Sequence, residues 1–441
     1  MHWVLNLIYA ALLTLLSPVI LWRMIRHGRY RRGIRQKLFG QLPFTPDGRP
    51  VAWFHAVSVG EIVQLQKIVD EFRRQTDDGW LVVVSTSTDT GYDLAKQRFP
   101  GCQLVWFPLD FSWAVRRALQ TVQPRLLVLV ELELWPGLLM ECTRHRVPVA
   151  IVNARLSERS FRRYLRADWF LRPIFSRIAL VASQSQSCAE RLRMLGVPAE
   201  RMQITGSVKF DGVACHPEHP PTQLLRSLFR IDPQAPVLMA GSTQAPEERM
   251  ILDAWQQLRR LHPTLQLILV PRHRERFEEV AELVRSAGFP LLRRSAIPEG
   301  RSELQSGYDC VRLLDTIGEL GACWGLADIA FVGGSFGSRG GQNMIEPAAW
   351  GAAVTFGPNT WNFRDVVQIF READACRQLQ TASELLPLLQ HWLDQPLERQ
   401  RLGTAAAAVV RAQQGAVGAT VRLLREQLVA SESPAVQSKA A

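Results

Sequence analysis

The sequence has no C-x-x-C pair. Its seven cysteines, Cys102, Cys142, Cys188, Cys215, Cys310, Cys323 and Cys376, are scattered and odd in number. That argues against a zinc site or a disulfide framework and fits a reducing compartment. There is no obvious metal cluster, no internal repeat and no nucleic-acid motif, so no metal, no cofactor and no nucleic-acid partner is expected. No Gly-Lys-Ser/Thr follows the glycine-rich stretch, which excludes a P-loop, and no clean G-x-G-x-x-G follows a first strand. Acidic residues are in deficit, 41 Asp and Glu against 52 Lys and Arg. The net charge of +11 by itself suits an anionic partner: nucleic acid, anionic lipid or a phosphorylated substrate.

With 441 residues the chain is too long for one ordinary core, and a hydrophobic content of 47% supplies enough apolar side chains for two. The stretch Trp3 to Trp22 is uncharged, mostly apolar and long enough to span a bilayer, with aromatic residues at both ends. Basic residues follow it (Arg23, Arg26, Arg29, Arg31, Arg32, Arg35 and Lys37) and none precedes it. This order is the reverse of a cleaved signal peptide, and it places the bulk of the chain in the cytoplasm. The expectation is an uncleaved anchor in a cell inner membrane; the alternative is a helix lying in the interface. The basic cluster either grips anionic head groups or only sets topology.

Beyond a Pro/Gly-rich connector, strand and helix patterns alternate. Val51 to Phe54, Trp80 to Ser85, Gln103 to Phe107, Leu126 to Leu132, Val149 to Val152 and Ile178 to Ala182 read as strands. Glu61 to Gln75, Thr90 to Arg98 and Ser112 to Gln120 read as helices between them. A second series holds Val237 to Ala240, Gln266 to Val270, Ile329 to Val332 and Ala353 to Phe356, and Pro217 to Pro221 interrupts the two. The fold class is α/β, two doubly wound Rossmann-like domains facing a cleft. The expected boundaries are 1–40 for the anchor and juxtamembrane segment, 41–216 and 217–430 for the two domains, and 431–441 for a disordered tail.

Strand-end loops are where such sheets bind ligands. Asp328 to Pro358 reads strand, glycine loop, helix, strand. Its amides and the helix start near Asn343, with Glu346 three residues on, can face an anion such as a nucleotide phosphate; a plain tight turn is the alternative. In FHAVSVGE, Glu61 at a helix start is either a general base or a helix-dipole carboxylate. In LVELELWPG, Glu131 and Glu133 would share one face if extended. They either bind a hydroxylated substrate and support acid–base work or belong to a surface loop. In ITGSVKFD, Lys209 either meets an anionic group or is solvated. MAGST (Met239 to Thr243), LVPRHRERF (Leu269 to Phe277) and DTIGEL (Asp315 to Leu320, with Thr316 and Glu319 spaced as a capping box) add hydroxyls, amides and arginine at other strand ends.

Taken in order, HAVSVGE, STSTDTGYDLA, ELELWP, NARLSERS, GSVKFD, AGST, VPRHRERF, DTIGEL and GGS…GGQNMIEPA resemble the transferases of 3-deoxy-D-manno-octulosonic acid (Kdo) in lipopolysaccharide synthesis, from the N-terminus to about Asp365. The resemblance implies a GT-B fold and an inverting, metal-independent transfer from CMP-Kdo to a phosphorylated lipid A precursor, lipid IVA. It implies Glu61 as the base, with Glu131 and Lys209 assisting the transition state. It implies donor contacts at Ser242, Thr243, Pro271, Arg272, His273, Ile317, Gly318, Glu319, Gly340, Gly341, Asn343, Met344, Ile345 and Glu346. Anionic inner-membrane lipids are the further partner. The chain departs from the family pattern at Gln244 and Gln342, where histidine is usual, and at Trp324, where tyrosine is often found. The competing readings are a GT-B transferase with another nucleotide sugar, a sugar-nucleotide epimerase of that fold, and a catalytically silent membrane-tethered scaffold.

Overall fold

The structure is a computed structural model that describes residues 2–27, 31–133, 135–213, 218–297 and 307–432. Arg29 of the basic cluster, Leu134 of the ELELWP segment, Pro217 of the linker and the tail beyond Glu432 lie outside the described residues. The chain divides into two compact units. One comprises residues up to Asp211 together with those from Gln414 onward; the other is Gly212–Gln413.

The first unit opens with helices α1 (His2–His27) and α2 (Ile34–Phe39), and its sheet is interleaved with α3 (Val59–Gln75), α4 (Asp89–Arg98), α5 (Ser112–Val122) and α6 (Pro136–Arg144). Its strands are β1 (Val51–His55), β2 (Leu81–Thr86), β3 (Gln103–Trp106), β4 (Leu126–Val130), β5 (Val149–Ala154), β6 (Leu180–Ser183) and β7 (Met202–Ile204). They pair in parallel in the order β3-β2-β1-β4-β5-β6-β7. Strand alternation sends Trp53 to one face and Ala52 and Phe54 to the other, so each face has its own apolar core. One face is completed by the helix Ala416–Glu432 through Val421, Leu424 and Leu428, each contributing on the order of 1.5–3 kcal/mol by burial. Residues 416–430, expected in the second domain, therefore belong to the first: their apolar face packs on α3 and the sheet beside it. Asp211 fixes that return by accepting from the amides of Gly415 (2.6 Å) and Val417 (2.5 Å).

The second unit repeats the plan. Strands β8 (Val237–Thr243), β9 (Gln266–Pro271), β10 (Leu291–Arg293), β11 (Val311–Leu313), β12 (Ile329–Val332), β13 (Ala353–Phe356) and β14 (Arg377–Gln378) lie in the order β10-β11-β9-β8-β12-β13-β14, again all parallel. In the first sheet the strand order reverses between β1 and β4; in the second, where β11 is inserted between β10 and β9, the chain crosses back between β8 and β12, and loops leaving such a pair diverge to open a crevice.

The expectation of a membrane-spanning anchor is not supported: no helix among the described residues is long and apolar enough to cross a membrane. Thr14 and Ser17 turn their hydroxyls to helix carbonyls, Pro18 interrupts the run, and Asn6 and Tyr9 bond to the first domain at Ser112 and Asp110. Part of the basic cluster is likewise committed to the fold, Arg32 pairing with Asp93 and lying over Trp106 beside Lys37.

A Cβ on Gly241 would stand 2.4 Å from the fully buried Trp324 ring, so the indole occupies space that only glycine leaves free. Gly241→Ala is expected to cost about 1–3 kcal/mol by overpacking, read as a lower denaturant midpoint.

Candidate active site

The residues singled out from the sequence fall into two groups, one at each reversal of strand order. In the first unit β1 and β4 deliver them. β1 ends at His55, and after a short loop Ser58 caps α3 by accepting from the Glu61 amide at 3.3 Å. The Glu61 carboxylate folds back, accepting from the Val57 amide (2.8 Å) and the Ser58 hydroxyl (2.7 Å). This is a reciprocal capping box, so Glu61 does act as a cap. Burial pushes its carboxyl above the ordinary value, the charge of Glu131 adds to this, and the accepted hydrogen bonds oppose it. The group is thus fixed in direction and raised in basicity, as a general base needs.

β4 stops at Val130, and Glu131 takes a left-handed φ of 58° while its amide donates to Val152 O at 2.9 Å. The expectation that the strand runs on to Leu132, with Glu131 and Glu133 on one face, is corrected: a residue with positive φ ends the alternation, and such strain in a non-glycine residue gathers at functional sites. The Glu133 carboxyl is pushed up to about 7 by burial and then by the charges of Glu61 and Glu131. The sequence reading carried Glu131 rather than Glu133 into the catalytic set; no spacing rule separates the two, because the rise at Glu133 comes from burial first and then from the charges of Glu61 and Glu131.

Lys209 lies half-buried in the loop after β7. That loop is tied to the same strand ends: Val208 donates to Asn153 Oδ1 (3.2 Å), and Lys67 of α3 donates to Val208 O (3.3 Å) and to Asp211 O. Asn153 in turn bonds Gln64 of α3, next to the turn that carries Glu61. Glu61, Glu131, Glu133 and the Lys209 loop are therefore mounted on β1, β4, β5 and α3 around one reversal.

In the second unit β8 and β12 do the same. Ser242 takes φ 55° and Thr243 is fully buried, and the Arg272 amide donates to Thr243 O at 3.0 Å, which sets Pro271, Arg272 and His273 beside them. Arg272 and His273 are exposed. The glycine loop departs from expectation. The amides of Gly334, Ser335 and Phe336 converge, but on the buried carboxylate of Glu247, at 2.8, 2.8 and 3.0 Å, and the Gln244 amide joins them at 2.9 Å. An internal carboxylate holds the position assigned to a phosphate, so this part of the loop is not the anion cradle expected. Sequence reasoning missed Glu247, although its place three residues after Gln244 at a helix start is a capping signal.

What the loop offers a ligand lies elsewhere. The side-chain amides of Gln244 and Gln342 meet over Gly334, at 3.4 and 3.1 Å from where a Cβ would stand. Gly340 (φ 85°) lies against the Trp361 indole, and the Gly341 amide donates to Gly334 O at 2.8 Å. Asn343 accepts from the Ile345 amide (3.1 Å) and donates to Glu346 (2.9 Å), but the helix starts at Ile345 and Met344 holds the cap position. The expected cap at Asn343 is therefore displaced by one residue. The side chains of Met344 and Ile345 are buried, leaving only their backbone for a ligand. Glu346 lies near Gly321, its Oε2 3.9 Å from where a Cβ would stand, two residues past the Ile317–Glu319 segment. Ile317 is 77% exposed and Gly318 has open space around it. The expected capping box of Thr316 and Glu319 is corrected: their side chains bond each other, Glu319 also accepts from Arg294 at 3.2 Å, and the helix begins only at Leu320.

The family model of 3-deoxy-D-manno-octulosonic-acid transferase (kdotransferase) matches residues 27–212. The chain is 33% identical over 429 residues to the 3-deoxy-D-manno-octulosonic acid transferase of Haemophilus influenzae, covering 95% of this chain and 98% of that protein. This chain belongs to the Kdo transferase family. The Bordetella pertussis member is 34% identical over 442 residues, 96% of this chain and 99% of that one. The fold alone is shared with a glycosyltransferase from Rickettsia africae (TM-score 0.53, 10% identity, 89% of this chain and 100% of that one). It is shared equally with the UDP-GlcNAc 2-epimerase from Neisseria meningitidis (TM-score 0.53, 10% identity, 85% and 100%). The family's two-domain GT-B plan thus accounts for two seven-stranded parallel sheets.

Glu133 holds its proton more tightly in the folded chain than at the ordinary value of 4.5. Its contribution to stability is full below 4.5 and is lost as pH rises through about 7. Glu133→Gln removes this dependence. Its melting temperature is expected to gain on the wild type between about pH 5 and about pH 8, by thermal melts across that range.

Proposed function

We propose that the chain transfers Kdo from CMP-Kdo to a phosphorylated lipid A precursor, lipid IVA, with inversion at the anomeric carbon. The observation that carries this reading is the carboxylate group at the β1/β4 reversal: a buried, doubly hydrogen-bonded Glu61 beside Glu131 and a Glu133 raised to about 7. Glu61 takes the proton of an acceptor hydroxyl as its oxygen bonds to the anomeric carbon of Kdo. The bond from that carbon to the phosphate oxygen breaks, and CMP leaves with the electron pair. Glu131 and Lys209 assist the transition state. On the donor side Ser242, Thr243, Pro271, Arg272 and His273 receive the phosphate region, Ile317–Glu319 and Glu346 the nucleoside, and Gly340–Ile345 line the approach through backbone groups.

The acceptor is lipid, and α1 offers it a surface. Leu12, Leu15, Leu16, Val19, Trp22 and Ile25 are exposed along the helix, with Arg23 and Arg26 near its end. This composition suits a helix lying in the interface of an anionic inner membrane, both domains on the cytoplasmic side. A second reading, a different nucleotide sugar as donor, is favoured by Gln244 and Gln342. Two carboxamides over Gly334 hydrogen-bond but carry no charge where the family usually has histidines.

Glu61→Gln keeps the shape and one hydrogen-bond acceptor but cannot take the proton. Turnover is expected to fall by about 10²–10⁴ with CMP affinity unchanged by calorimetry. Full turnover in that variant would remove Glu61 as the base.

A further inference from the structure

One segment of the first unit, Trp106 to Ala114, joins the end of β1, the start of α6 and the helices α1 and α2. Its Phe107 ring stacks on His55 at 3.6 Å, at the end of β1 and just before the Glu61 loop. Its Asp110 is buried and accepts from the amides of Gly137 (2.8 Å) and Leu138 (2.6 Å), the first turn of α6. α6 begins right after the Glu131–Trp135 loop. A Cβ on Gly137 would stand 2.8 Å from Asp110, so the glycine of the W-P-G sequence is what lets the carboxylate seat there.

The same Asp110 carboxylate receives a third hydrogen bond, from the Tyr9 hydroxyl of α1 at 2.8 Å. Asn6, one turn earlier, bonds Ser112 in both directions, accepting from its amide (3.0 Å) and donating to its hydroxyl (2.8 Å). Tyr9 also packs edge-on against Phe111. α2 holds the segment from its other side: Trp106 donates to Gln36, Leu109 to Lys37 O, and the Trp113 indole to Leu38 O. A helix that only tethered the chain to a membrane would need none of these directed contacts.

We propose that α1 is a positioning element of the reaction: through Tyr9 it fixes Asp110, and Asp110 fixes the start of α6 and hence the stance of the Glu131–Trp135 loop toward Glu61. The role rests on the transfer reaction proposed above, but its structural half can be read without turnover. Asp110 and Tyr9 touch no reacting atom and act through the loop. A loop released from Asp110 lets Glu133 draw away from Glu61 and Glu131, the charged groups that face it, with Tyr164 beside them. The Glu133 carboxyl then titrates lower, because less burial and weaker like-charge repulsion both favour ionisation.

The test uses the full-length chain with Tyr9→Phe, which deletes one hydroxyl and keeps the ring on Phe111, and Asp110→Asn as the stronger variant. Hydrogen exchange of residues 131–139 is expected to quicken roughly tenfold in Tyr9→Phe, as for the loss of one hydrogen bond to a charged group, with the β-sheet peptides unchanged. In Kdo transfer, kcat falls, both KM values stay within about twofold, and the acid limb of the kcat profile moves to lower pH. Unchanged exchange at 131–139 overturns the proposal. So does faster exchange there with kcat and the acid limb unmoved, which would make Asp110 a helix cap and nothing more. If wild-type protein transfers no Kdo, the proposed reaction fails and the exchange result still decides whether α1 holds the loop. If Asp110→Asn does not fold, Tyr9→Phe alone decides.

Discussion

Parallel pairing outward from a central strand is the constraint on which the rest depends. In each sheet the chain starts in the middle, at β1 or β8, builds one edge, then crosses back and builds the other. Neighbouring loops at the point of return leave in opposite directions, so no side chain from the sheet fills the space above them. Polar and charged groups can stand there only if the backbone around them supplies partners. Glu61 has the Val57 amide and the Ser58 hydroxyl, and Glu247 has four backbone amides. The two carboxylates show how differently one residue type is used. Glu247 is consumed by the fold, each oxygen bonded to the loop it shapes. Glu61 is raised in proton affinity by burial, and the charge of Glu131 adds to it.

Crowding three carboxylates in one partly buried place opposes folding, because burial and like charge both penalise ionisation. The structure accommodates it by letting one carboxyl, Glu133, stay near half-protonated around neutral pH. Holding those groups near one another takes rigid mounts. The strained Glu131 backbone, the Asn153 and Lys67 ties of the Lys209 loop, and the Asp110 cap on α6 all serve that end. The site is therefore distributed over segments far apart in sequence, and the N-terminal helix is one of them.

Much of this was legible in the sequence. The long apolar runs at β1, β2, β4, β5, β8, β9, β12 and β13 read as buried parallel strands because such strands are apolar on both faces. The short strands β7, β10, β11 and β14 did not, since two or three residues carry no pattern. The motifs bearing Glu61, Glu131 and Lys209 were found because small residues and charges at strand ends are hard to explain by packing. What could not be read was tertiary. The glycine loop looked like a phosphate cradle until Glu247, from another helix, took its amides. The raised carboxyl of Glu133 comes from burial first and then from the charges of Glu61 and Glu131, and neither the burial nor the approach of Glu61 is announced by its neighbours in sequence. The return of residues 416–432 to the first unit depends on Asp211, which nothing local announces. The apolar N-terminus read as a spanning segment because its polar residues were counted as minor, whereas Asn6 and Tyr9 are bonded to the protein.

The measurement that bears most directly on the account is made on full-length, detergent-solubilised protein. It is incubated with CMP-Kdo and a tetraacylated, bis-phosphorylated lipid A precursor, and the lipid is read by mass spectrometry. A mass gain of one or more Kdo units is the predicted result and would report donor, acceptor and sugar count together. Folded protein that binds CMP yet leaves the lipid mass unchanged would contradict the account and direct attention to Gln244, Gln342 and another donor.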